Sequence, residues 1–164
     1  MIKKILIALL LVFVIIQFIR PEKNESSELS PNDITQVHNV PEGVKSIMAK
    51  ACNDCHSNNT QYPWYNSIQP VAWYLEEHVE DGKRHFNFSE FGSYEPWRAY
   101  HKLEELIEEV EEGKMPMDEY TWMHKEAVLT EAEKGELIDW AKGIRAEMKA
   151  DTTLDLQRPP RPAK

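Results

Sequence analysis

The chain has 164 residues, 41% of them apolar, and a formal charge of -9, which leaves room for one compact domain with extensions and argues against nucleic acid as a partner. Beyond Lys3, Lys4 and Arg20 in the first twenty residues, 16 basic side chains stand against 28 acidic ones, a charge of -12. With only two cysteines, nothing suggests a scaffold stapled by disulfides.

Residues 1–20 open with Lys3 and Lys4 and run from Ile5 to Ile16 without a polar side chain. This reads as a transmembrane or signal segment. As a helix, Ile5 to Ile19 spans about 22 Å, and Ile2 with snorkelling lysines extends it toward the roughly 30 Å of a bilayer core. Ile19, Arg20 and Pro21 occupy the place of a small-x-small cleavage site, which favours a retained membrane anchor. The expected address is the bacterial inner membrane with the rest of the chain in the periplasm. The alternative is a soluble periplasmic protein after signal cleavage. Residues 21–40, rich in Glu, Asn, Ser and Pro without apolar periodicity, read as a flexible tether.

A domain is expected over residues 41–150. Val44, Ile47, Met48, Ala51, Cys52 and Cys55 recur at helical spacing, which predicts a helix from Pro41 into the sequence Cys52-Asn53-Asp54-Cys55-His56. Two thiols three positions apart lie on one side of a helical turn, where each can add to one haem vinyl group. The histidine that follows is placed to bind the iron. A thioredoxin-like dithiol is disfavoured because the surroundings read as helix rather than a βαβ unit. A closed zinc site is disfavoured because two more histidines would have to be recruited at no recognisable spacing. The reading is one covalent haem c through Cys52 and Cys55, with His56 on the iron. A backbone carbonyl near Pro63 or Pro70 is expected to orient His56, and Tyr62, Trp64 and Tyr65 are expected either to cover a haem edge or to pack in the core.

A second helix is predicted from Ile68 to Asp81, stopped by Gly82, with His78 on its inward stripe as a hydrogen-bonded core histidine or, less favoured, an iron ligand. A third fits Pro96 to Glu112, with Trp97, Tyr100, Leu103, Leu106, Ile107 and Val110 on one side, an acidic run on the solvated side, and Gly113 past its end. A loop from Gly113 to His124 then carries Met115, Pro116 and Met117. A thioether is a soft axial ligand and the proline restricts the residue before it. Met115 is therefore the expected distal ligand, with Met117 and His78 as alternatives. Thr130 and Glu133 form a capping box for a last helix that packs near the first, and residues 151–164 are expected to be a disordered tail.

In their order, Cys52 to Asn58, Tyr62 to Tyr65, Pro70-Val71, His78-Val79, Asn87 to Glu90, Gly113 to Pro116 and Tyr120-Thr121 with His124 resemble the bacterial haem-binding domain family of small cytochrome c-like proteins, over roughly residues 40 to 145. The resemblance implies an all-α, cytochrome c-like domain with covalent haem at Cys52 and Cys55, ligation by His56, and a distal ligand at the Met-Pro step, here Met115. Met117 departs from the residues common in the family after that proline. The expected function is single-electron transfer at the periplasmic face of the membrane, with redox protein partners that present a basic docking surface. A haem peroxidase-like enzyme, drawing an acid or base from His78, His85, His101 or His124, and a haem-based sensor or binding module are the rival readings.

Overall fold

In the structure, a computed structural model, residues 1–160 are described. Its elements are all helical, and no strand occurs among the described residues, as the sequence predicts. In chain order the α-helices are α1 (Ile2–Ile16), α2 (Ile34–Val37), α3 (Glu42–Ala51), α4 (Asn53–His56), α5 (Val71–His85), α6 (Pro96–Glu111), α7 (Asp118–Met123) and α8 (Glu131–Ala150). Short 3-10 turns cover Trp64–Ser67, Phe88–Ser93 and Lys125–Ala127.

Three amphipathic stripes make the core. Val44, Ile47 and Met48 of α3 meet Ala99, Leu103, Ile107 and Val110 of α6 and Leu137, Ile138, Ala141, Ile144 and Met148 of α8. Fully burying one such side chain contributes roughly 1.5–3 kcal/mol, so this seam holds the domain. The predicted capping box is present at the start of α8: Glu133 N–H donates to Thr130 Oγ1 and Thr130 N–H donates back to the Glu133 carboxylate. Of the acidic run on α6, Glu104 and Glu111 receive Arg145 and Lys142 from α8 at 2.7 and 3.0 Å, so that face is partly joined to the neighbouring helix rather than wholly solvated.

Four expectations change. No helix among the described residues is long and apolar enough to cross a membrane. The apolar helix of segment 1–20 ends at Ile16, because Gln17 turns to the domain: its side-chain oxygen accepts from Gln69 N–H at 2.9 Å, and Gln69 Nε2 donates to the Ile19 carbonyl. Residues 21–40 are not a free tether. Asn24 hydrogen-bonds to Tyr62, Ser57 and Thr60, Gly92 N–H donates to the Asn32 carbonyl, and Ile34 (0% exposed) and Val40 enter the core. Two apolar residues six apart carry no periodicity, so composition concealed them.

The second helix does not stop at Gly82 but runs through it to His85. Residues 151–160 are not loose either: Leu154 and Leu156 pack on the core and the Arg158 guanidinium lies over the Trp97 ring. The remainder of the expected tail, 161–164, lies outside the described residues.

Candidate haem site

Helix α3 delivers its stripe to Cys52, where the backbone breaks from helical geometry (φ -128°, ψ -46°) before α4 carries Cys55 and His56. The bend has a neighbour. A Cβ placed on Gly82 would lie 2.4 Å from the Cys55 carbonyl oxygen, so α5 crosses α4 at backbone contact and only glycine fits there. Cys52 and Cys55 are free, half-buried thiols. Burial above all pushes them up to about 12 and about 11, with the Asp54 carboxylate adding to it at Cys55. They stay protonated at neutral pH, which is unlike the low-pKa thiolate of a reactive dithiol.

The imidazole of His56 is fixed by a bond the sequence did not locate. Its Nδ1–H donates to the Phe86 carbonyl at 2.8 Å. Because a carbonyl can only accept, the proton sits on Nδ1 and the lone pair on Nε2. This replaces the expected carbonyl near Pro63 or Pro70. Burial lowers the pKa of His56, against the opposing pull of the Phe86 and Gly82 carbonyls, so the ring is neutral with its lone pair on Nε2, the form that binds a metal.

Two adjoining cavities of about 590 and 270 Å³ open beside this motif, and both include Cys52, His56 and Met115 in their walls. The larger is walled by apolar groups such as Phe86, Phe88, Leu106 and Leu129; the smaller adds Cys55, His78 and Met117. All six residues singled out from the sequence therefore surround one space. Its walls are mainly apolar, with His85, His101, Lys102, Glu105, Glu108 and Glu109 also on the larger cavity, and its size is that of a site for a large organic cofactor. Two thiols, a ring nitrogen with a free lone pair and an apolar slot are the donor set and shape that a haem requires, so the residues present fit the group.

Met115 reaches the cavity through a Schellman turn at the end of α6. Gly113 has φ +70°, Gly113 N–H donates to the Val110 carbonyl and Lys114 N–H to that of Glu109, which reverses the chain and returns Met115 to the cavity wall. His78 is hydrogen-bonded as expected, but to the Tyr74 carbonyl one turn back on its own helix, and it is half-exposed at the rim rather than in the core. Tyr62, Trp64 and Tyr65 line a third apolar cavity of about 370 Å³, which shares Cys55, His78, Met117 and Tyr120 with the smaller of the other two, and Trp64 is 75% exposed. They belong neither to the core nor to the cavities that hold His56.

The expected loop 113–124 contains a helical turn, α7, which the sequence reading missed. Its Tyr120 hydroxyl donates to Asp54 Oδ2 at 2.7 Å. Nothing in the sequence gives Asp54 a role beyond its place between the cysteines. The Asp-Glu pair after Met117 is the N-terminal signal that could have revealed the turn.

No curated protein and no solved structure matches the chain. A family model described as haem-binding domain does, over residues 11–143, a range that takes in the segment 21–40 packed onto the core as well as the whole site. With both thiols, His56 and the Met115 turn gathered on one apolar cavity inside that range, the chain belongs to the haem-binding domain family.

Proposed function

We propose that the domain binds one haem covalently through Cys52 and Cys55 and serves as a single-electron relay. The observation that carries this is His56, held by the Phe86 carbonyl with Nε2 free, in the same cavity wall as both thiols and Met115. Attachment needs no oxidant: each thiol adds across a vinyl group, sulfur bonding to one carbon while the thiol hydrogen ends on the other. When bound, the haem supplies a one-electron couple. The chain's own groups then set its properties. His56 would hold the iron through Nε2, oriented by the Phe86 carbonyl, and the Met115 thioether as a ligand would favour the reduced state relative to a second histidine.

On this reading the fold is cytochrome c-like and the protein acts in the periplasm, exported by segment 1–20, since haem is attached to such motifs after export in bacteria. The -12 charge outside that segment suits a redox partner with a basic docking face and disfavours nucleic acid.

The test uses the full chain from a host competent in cytochrome c maturation. Acidified organic solvent should leave the haem on the denatured protein; complete extraction overturns covalent attachment. A near-infrared band from Met-to-iron ligation should be present in the oxidised wild type, Met117→Leu and His78→Phe, and absent in Met115→Leu. Loss in Met117→Leu instead moves the ligand two residues on. A high-spin wild-type spectrum overturns the relay.

A further inference from the structure

Helix α7 lies at the surface, where Tyr120 and Met123 line the apolar cavity that Trp64 and Tyr65 also line. None of its six residues is buried, and Trp122 and Met123 are 66% and 62% exposed. Yet it begins immediately after Met115, Pro116 and Met117, with Met117 as its N-cap, so whatever fixes α7 also fixes the sulfur at Met115. Its attachments are polar. The Tyr120 hydroxyl donates to Asp54 Oδ2 at 2.7 Å, and its ring stacks on His124 with centroids 4.3 Å apart. The Tyr65 hydroxyl and His124 Nε2 are hydrogen-bonded at 2.9 Å.

Asp54 is itself immobilised. Its Oδ1 accepts from Gln61 N–H at 2.9 Å and its carbonyl from the Thr60 hydroxyl at 2.6 Å. It stands between the two cysteines, so the Tyr120 bond ties the distal loop directly to the segment that holds the haem. Burial, and next the Asp54 carboxylate, raises the Tyr120 pKa, so the phenol keeps the proton it donates.

We propose that Asp54 and Tyr120 are positioning residues, a clamp between the haem-attachment turn and α7 that sets how often Met115 leaves the iron and admits an external ligand. The inference rests on Met115 as the distal ligand. Exchange of Met115 for a soluble ligand requires the loop to swing out, and the population of that open state depends on what anchors α7. A hydrogen bond to a carboxylate is among the stronger ones, so its loss should raise the open population about tenfold or more.

The experiment titrates imidazole into the oxidised, haem-loaded full chain. Met115→Leu should bind most tightly. Tyr120→Phe, which keeps the ring on His124, should bind about tenfold tighter than wild type. Asp54→Asn keeps an oxygen for Gln61 N–H and offers the Tyr120 hydroxyl oxygen an amide N–H to accept, so it should stay close to wild type, and Tyr120→Phe combined with Asp54→Asn should add little to Tyr120→Phe, because the one bond between the two residues is already lost. Thr130→Ala weakens the α8 cap away from the loop; it should lower the melting temperature without tightening imidazole. Amide exchange over residues 115–123 should accelerate in Tyr120→Phe while α8 is unchanged. Wild-type affinity in Tyr120→Phe, or equal tightening in Thr130→Ala, overturns the clamp alone. A wild type that binds imidazole as tightly as Met115→Leu removes the Met115 reading, and the clamp falls with it.

Discussion

Replacing Gly82 by alanine isolates the contact between α5 and the Cys52–His56 turn. On helix propensity alone the change should stabilise, by about 1 kcal/mol, since Gly82 lies inside α5. The new methyl would sit 2.4 Å from the Cys55 carbonyl oxygen and 3.0 Å from both the Cys55 carbonyl carbon and Cβ. Ordinary contact needs roughly 3.5 Å, so the two helices must part by on the order of 1 Å. The neighbour is backbone, which cannot rotate aside. Overpacking of this kind costs about 1–3 kcal/mol, more than the propensity gain, and the displacement falls on Cys55 and His56. Gly143→Ala is the control: it lies on the exposed side of α8 with nothing within 4 Å of an added Cβ, and it should stabilise by up to about 1 kcal/mol. Thermal unfolding of the haem-loaded chains should show Gly143→Ala melting about 2–4 °C higher per kcal/mol gained and Gly82→Ala lower, with less haem incorporated during expression. If Gly82→Ala melts as high as Gly143→Ala with full haem content, the close approach of α5 to the Cys52–His56 turn is refuted.

Gly113→Ala meets no atom within 4 Å but must hold φ +70°, so it should cost about 1–2 kcal/mol from backbone conformation alone; chemical denaturation measures it, and an unchanged midpoint would reject the Schellman turn that returns Met115 to the cavity. Glu133 is drawn from 4.5 to about 2 by the Lys50 ammonium and by Thr130. A carboxyl depressed on folding stabilises above its unfolded value, and that contribution is lost as pH falls from about 4.5 through 2. Glu133→Gln keeps the capping box but not the charge, so the stability gap between it and wild type should be widest near neutral pH and close toward pH 2; a gap independent of pH would contradict the Lys50 pairing.

The residues that line the candidate site were legible because the patterns that single them out are local. Cys52, Cys55 and His56 fall within one turn, Gly113 marks a helix end, and Met115 follows it within two positions, all readable from spacing. The stripes of α3, α6 and α8 and the Thr130–Glu133 box are likewise written over a few residues, and the structure contains them.

What tertiary structure decided are the pairings between distant residues. The carbonyl that holds His56 comes from Phe86, thirty positions on; the oxygen that receives Tyr120 comes from Asp54, sixty-six positions back. Every residue has a carbonyl and many have a polar tip, so composition cannot say which two will meet. Helix docking selects them, and Gly82 permits that docking because its missing Cβ lets α5 touch the Cys55 backbone. The same distinction explains residues 21–40 and the end of α1. A polar segment reads as solvated until Asn24 finds Ser57, Thr60 and Tyr62, and an apolar run reads as continuous until Gln17 finds Gln69. Periodicity records which face of an element is apolar; the partner of each polar group follows only from where the elements come to rest.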